Sequence, residues 1–131
     1  MIEQRISDGS KGFQDVFFSE NWRVAYSDYA MFSNDKDSIR KMEKHAKTDE
    51  AFFLLCGNVH LVTAGKGETL GKLVIRKMFP QTLYVVERGE WHVAVYGENA
   101  RVLIVEDAKE FPSASLELSV KLLEKIKESI S

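Results

Sequence analysis

The sequence is poor in the features that mark several large protein classes. Its single cysteine, Cys56, excludes an internal disulfide and suits a reducing compartment, the cytoplasm. There are two prolines and no low-complexity tract, repeat or linker, so one domain is expected over residues 1–131. The longest apolar runs are about six residues, far short of the ~20 that cross a bilayer. The opening stretch, "MIEQRISDGSKG", lacks the apolar core of a secretory signal. Charge of one sign is also missing: 18 Lys and Arg against 20 Asp and Glu leave a net charge of −2. That balance gives no electrostatic case for a nucleic-acid or anionic-membrane partner. Gly-x-Ser-x-Gly, a phosphate-binding glycine loop and Cys-x-x-Cys are all absent, which removes support for classical nucleophilic hydrolysis and nucleotide binding.

What is present is a series of short β-type runs. Asn21–Phe32 is aromatic and partly alternating, and "SNDKDS" (33–38) breaks it with turn residues. "AFFLLC" (51–56), "VHLVTA" (59–64), "KLVIRKMF" (72–79), "TLYVV" (82–86), "WHVAVY" (91–96) and "RVLIVE" (101–106) follow, each bounded by turn residues. Strands at this spacing with no helices between them predict an antiparallel sandwich or barrel over about 21–106. Gly57-Asn58 between two such runs reads as a two-residue hairpin. Cys56, closing an apolar run, reads as buried filler.

The C-terminus changes period. Leu116, Val120, Leu123, Ile126 and Ile130 form a helical stripe, predicting a helix over about 115–128. Ser113 or Ser115 can cap it, and Glu117 suits its positive first turn. The stripe packs on the outside of the sheet or on a second subunit. The segment Asp35–Ala46 reads two ways. Ile39, Met42 and Ala46 carry helical spacing. As a strand, Ile39, Lys41, Glu43 and His45 share one side.

The chemistry-bearing residues cluster in two blocks. "EKHAKTDEAFFLLCG" holds Glu43-x-His45, four residues, Glu50, six residues and Gly57. "ERGEWHVAVY" (87–96) keeps Gly89 and His92, with Glu87 where a proline is usual and Tyr96 where an asparagine is usual. The two blocks, in this order and separation inside an all-β pattern, resemble the paired motifs of the cupin superfamily. The likeness covers about Arg40–Glu106, and "TDE" and "GEWH" are especially similar to small single-domain cupins.

The resemblance implies an all-β, antiparallel double-stranded β-helix, a jelly-roll barrel, here with one C-terminal α-helix. It also implies a divalent transition metal (Mn, Fe, Ni or Zn) held by Glu43, His45, Glu50 and His92. Residues i and i+2 on a strand share a face, so Glu43 and His45 can both point inward. Glu in place of the first motif histidine gives a harder, more anionic site, suited to Mn(II) or Fe(II); alternatively the metal is lost. Two functions stay open. One is a metal-dependent isomerase, epimerase, lyase or dioxygenase acting on a small polar metabolite, with Glu43 or Glu50 as general base if unligated. The other is a metal-free, non-catalytic binder of a sugar-like ligand. Tyr84 and Tyr96 can offer hydroxyls to a ligand or fill the core. Arg76, which shares strand parity with Lys72, can meet an anion or lie on a solvated face. His60 reads as a satisfied sheet histidine and Trp91, facing away from His92, as packing. A homodimer is expected, with Phe53, Leu55 and the N-terminal aromatics as the apolar outer residues.

Overall fold

In a computed structural model, residues 1–6, 12–109 and 114–130 are described. Among these described residues, ten strands and one helix follow in the order β1 (Phe13–Phe18), β2 (Trp22–Asp28), β3 (Lys41–Lys44), β4 (Glu50–Cys56), β5 (Val59–Thr63), β6 (Val74–Lys77), β7 (Leu83–Val86), β8 (His92–Tyr96), β9 (Arg101–Asp107), β10 (Ala114–Glu117) and α1 (Val120–Ile130). They form two five-stranded sheets, ordered β1-β2-β9-β4-β7 and β10-β3-β8-β5-β6. Every pairing is antiparallel. From β6 to β9 each successive strand changes sheet, which is the winding of a jelly roll.

Strand alternation explains the layers. Phe52 and Leu54 on β4, Val102 and Ile104 on β9, and Val59 and Leu61 on β5 point between the sheets and form one buried cluster with Met78 and Val86. The opposite parity of the second sheet, Met42, Val62 and Val95, packs with Trp91 and with Ile126 of α1 in a second cluster. The helix therefore covers the outer face of the second sheet. Ser119 starts it: its Oγ accepts from Leu122 N–H at 3.2 Å and its carbonyl from Leu123 N–H at 3.0 Å.

Several sequence expectations are corrected. The helix begins at Val120 rather than near 115, because Ala114–Glu117 pairs with β3 instead, Leu116 lying opposite Met42. Glu117 is thus a strand residue, Ser115 is not the cap, and Ser113 lies outside the described residues. Val120, assigned to the apolar stripe, is 72% exposed. Strand structure also starts earlier than expected, at Phe13. The ambiguous segment divides. Residues 35–38 turn on Asp35, whose carboxylate accepts from the N–H groups of Phe32 and Asp37 at 3.1 and 3.0 Å, and Lys41–Lys44 is a strand. Cys56 is exposed, not buried, because it follows the last inward-facing residue of β4, Leu54, at a register shift; its thiol donates to Asn99 O at 3.3 Å.

Gly57-Asn58 does not close a hairpin. The strands it joins, β4 and β5, lie in different sheets, so the turn carries the chain across the barrel edge. Gly57 has φ +78°, and a Cβ there would stand 2.4 Å from Ala100 Cα. Gly65 shares a positive φ, +75°, but a Cβ there meets nothing within 4 Å. Gly57→Ala should therefore lower stability by about 3 kcal/mol or more, against about 1 kcal/mol for Gly65→Ala, in urea unfolding followed by circular dichroism. Equal losses would show that backbone conformation alone, not the close approach to Ala100, governs the corner.

Candidate metal centre

The sheets enclose a cavity of ≈ 520 Å³ whose wall includes Glu43, His45, Glu50, His92, Tyr96 and Glu106. His45 follows β3, Glu50 opens β4 and His92 opens β8, so three separate strands deliver them. Two backbone-mediated contacts hold the two sequence blocks together. Gly89 N–H donates to His45 C=O at 2.6 Å, and Arg88 N–H donates to the Asp49 carboxylate at 2.8 Å. Trp91 anchors the second block from the far side of the sheet, its Nε1–H donating to Gly67 O at 2.8 Å. Facing away from Trp91, the His92 ring turns into the cavity, where Phe52 meets it edge-on at 6.2 Å.

The donor atoms converge on one carboxylate oxygen. His92 Nε2 lies 3.0 Å and His45 Nε2 3.4 Å from Glu50 Oε1, with the imidazoles stacked 5.5 Å apart. All three side chains are buried, and their ligand atoms lie within 4.8 Å of one another. Donors sharing an ion at about 2.1 Å stand roughly 3.0–3.4 Å apart, so the separations suit a 2-His-1-carboxylate set with open positions. The tautomer of His92 sharpens this fit. Its Nδ1 is 3.0 Å from Glu90 O, and a carbonyl only accepts, so Nδ1 carries the hydrogen. The Nε2 lone pair of the neutral ring then faces an oxygen, an arrangement that requires either a second proton or a metal ion between them.

Electrostatics of the cluster centre on Glu50. Burial opposes its charge, but hydrogen bonds from His45, His92 and Glu106 outweigh burial and hold its carboxyl well below the usual range. Glu106 shows the opposite. Burial first, then its hydrogen bond to and repulsion from Glu50, push it up to about 8, against the pull of Arg23. Of the two carboxyls Glu106 is therefore the one that holds a proton more readily, and the hydrogen bond between them is its to donate. Behind it, Arg23 donates to Glu106 Oε1 and pairs with Asp15 at 3.1 Å. Tyr96 reaches the same cavity; burial raises its phenol, which hydrogen-bonds Ser27, and Glu50 and Asp28 raise it further.

Of the residues named from sequence, His45, Glu50 and His92 come together, and Glu43 stands apart from that cluster. Glu43 lies opposite His92 in register and lines the cavity, but its half-buried carboxylate turns to Lys41 Nζ at 3.4 Å. Tyr96 is in the wall. Tyr84 is not: its hydroxyl accepts from Phe79 N–H at 2.8 Å, and its ring packs on the inner core. Arg76 is exposed on the edge strand β6, also away from the cavity wall. His60 is half-buried on β5, and burial, then Lys77, lowers its imidazole. Sequence reasoning missed Glu106 and Arg23. The signal was parity: in "RVLIVE" a carboxylate ends the inward row Val102, Ile104, Glu106, and Arg23 shares parity with the inward Ala25 and Ser27.

No protein-family model matches the sequence, and no curated protein matches it either. Solved structures do. An RmlC-like cupin from Shewanella frigidimarina superposes with a TM-score of 0.57 at 15% identity, over 82% of this chain and 87% of that one. KdgF from Halomonas sp. gives 0.57 at 13%, over 83% and 90%. HppE in its cobalt(II) form with substrate gives 0.52 at 14%, over 81% of this chain and 57% of that one. At such identities the likeness speaks for the fold. Together with the two crossing five-stranded sheets and the C-terminal helix, it establishes that this chain has the cupin fold.

Proposed function

We propose that the protein is a metal-dependent cupin enzyme acting on a small polar metabolite, with His45, Glu50 and His92 as ligands of a divalent transition metal (Mn, Fe, Ni or Zn). The observation that carries this reading is the convergence of two imidazole Nε2 atoms on one Glu50 oxygen inside a cavity of ≈ 520 Å³, a volume within the usual range for small-molecule sites. The likeness to HppE, described with cobalt(II) and substrate, supports it at the level of fold. Bound there, such an ion supplies Lewis-acid polarisation of a carbonyl or activation of water or oxygen, the chemistry of isomerases, epimerases, lyases and dioxygenases.

The chain's own residues have distinct parts in this reading. Glu43, beside the cluster but outside it, is the general base, taking a substrate proton on its carboxylate. Tyr96 and Ser27 orient polar groups of the substrate by hydrogen bonding, while Phe52 and Ile104 keep the cavity wall apolar and limit water. Glu106 positions Glu50 by donating a hydrogen bond to it. The protein acts as a small-molecule enzyme of the cell interior in this proposal. Among the described residues no helix is long and apolar enough to cross a membrane.

A second reading has one observation in its favour. With His92 protonated at both nitrogens, its hydrogen bonds to Glu90 O and Glu50 satisfy the ring without metal, leaving a polar pocket for a sugar-like ligand. Elemental analysis of protein purified without an affinity tag separates the two. Stoichiometric transition metal is expected; its absence, after growth with Mn, Fe, Ni and Zn supplied, favours the metal-free binder.

Thermal melts carry the same test further. A metal at about 100 times its Kd should stabilise the parent by about 2.7 kcal/mol. His45→Ala with His92→Ala should fold within about 1–2 kcal/mol of the metal-free parent and lose that stabilisation. Undiminished metal stabilisation would remove these residues from the site. The Glu106 substitutions make a separate prediction. Glu106→Gln keeps a donor for Glu50 and an acceptor for Arg23, so it should cost about 1 kcal/mol or less. Glu106→Ala leaves the Arg23 guanidinium and Glu50 short of a partner and should cost about 3 kcal/mol in urea unfolding. Similar losses in both would mean that Glu106 contributes packing rather than hydrogen bonding.

A further inference from the structure

The outer face of the second sheet holds a separate cavity of ≈ 610 Å³, beside the last turn of α1. Tyr96 is common to its wall and to that of the inner cavity, so the two lie on opposite sides of β8. The floor is apolar, made by Val95 of β8 and Ile130 of α1, both packed in the outer core. Val95, His60 and Lys77 are neighbours in register on β8, β5 and β6, so all three face the same way. Unpartnered polar groups ring this floor at two ends. The His60 imidazole and Lys77 ammonium stand at one, the Tyr29 hydroxyl and Glu98 carboxylate at the other. Among the described residues none of these four side chains has a hydrogen bond or ion pair. Each end is close-knit. After burial, Lys77 is what lowers the His60 imidazole, and Asp35 and Glu98 are what raise the Tyr29 phenol. The remaining charges of the wall cancel locally. Asp35 accepts from the N–H groups of Phe32 and Asp37, Asp37 pairs with Lys127 at 3.6 Å, and Lys36 lies between the two carboxylates in the chain.

We propose that this cavity is a second ligand site, for a zwitterion of dipeptide size. The ligand's carboxylate accepts from Lys77 and His60, its ammonium donates to Glu98 and Tyr29, and its apolar side chain lies on Val95 and Ile130. Charge selects a molecule of both signs. A simple anion placed at Lys77 leaves Glu98 unanswered, and a simple cation placed at Glu98 leaves Lys77 so. Spacing selects the length. Lys77 is two strands across from Val95, about 10 Å at ~4.8 Å per strand, and Glu98 is three residues along, again about 10 Å. Their backbones thus stand about 14 Å apart on the diagonal, and two long side chains leaning over the floor narrow the gap between charges to about 5–9 Å. An extended dipeptide spans about 7 Å, whereas a single amino acid falls short of both ends. Bound in this way, four half-met polar groups gain charge-assisted partners. The site uses none of the residues assigned to the metal and does not depend on that assignment.

Amide chemical-shift titration of the full chain with glycyl-leucine, N-acetyl-glycyl-leucine and glycyl-leucine amide tests this. Glycyl-leucine is expected to give saturable shifts at His60, Val95 and Glu98 with a Kd of about 1 mM or tighter. Each capped form lacks one charge and is expected to bind about 10-fold more weakly or worse. Lys77→Gln should bind the free peptide no better than the amide, and Glu98→Gln no better than the acetylated form. Both positions are exposed, so the fold does not depend on them. His45→Ala with His92→Ala should keep the binding unchanged. Absence of saturable shifts up to about 10 mM overturns the proposal, since affinity that weak offers no site at all. Capped forms that bind as tightly as the free peptide overturn it too, by removing the need for both charges. Binding that survives in Lys77→Gln and Glu98→Gln but is lost in the histidine variant would put the ligand in the inner cavity instead.

Discussion

A single buried carboxylate organises the centre of this protein. Glu50 receives His45, His92 and Glu106, and each of these arrives from a different strand. An ionised carboxylate in such a place is tolerable only because hydrogen bonds surround it. That requirement fixes the tautomer of His92 through Glu90, raises the proton affinity of Glu106 and leads outward to Arg23 and Asp15. The chain therefore has a polar spine, from β1 through β2 and β9 to β4, running through an otherwise apolar barrel. The cavity is where that spine is left open to a ligand.

The apolar part of the fold is arranged around this spine in a division of labour. Leu54 and Val102 fill the space between the sheets away from the cavity, while Phe52 and Ile104 continue that core into the cavity wall beside the polar groups. Trp91 and His92 show the division over two adjacent residues: one is locked into the outer core through Gly67, the other presented to the cavity. Strand alternation makes this possible, and the turn that leads into it takes a positive φ of 80° at Gly89.

Much of the fold was legible because it is written in local chemistry. Alternating runs at 59–64, 91–96 and 101–106 became strands with almost the expected bounds, since each couples parity to burial. His45, Glu50 and His92 were singled out by the resemblance of their two blocks to cupin motifs, not by any property of the isolated side chains, and the structure brings these three together. The failures came where partners distant in sequence decide. Nothing local to Leu116 says that it will pair with Met42 rather than begin a helix. Gly57-Asn58 has hairpin composition, and only the close approach of Ala100 reveals that the turn changes sheet. Glu43 shares a face with His45 by periodicity, yet the strand ends at Lys44 and Lys41 takes the carboxylate. Glu106 was hidden because a carboxylate at a strand end usually meets solvent.

The crossing of strands between sheets has a kinetic consequence. Glu50 and His92 are 42 residues apart, and they meet only when β4 and β8 stand in opposite, closed sheets. A chain folding through such distant pairings is slow, because loop closure must precede the contacts that reward it. Any ligand that grips those side chains finds no site in a half-assembled barrel. It acts after the rate-limiting closure, so it lengthens the lifetime of the native state without hastening its formation.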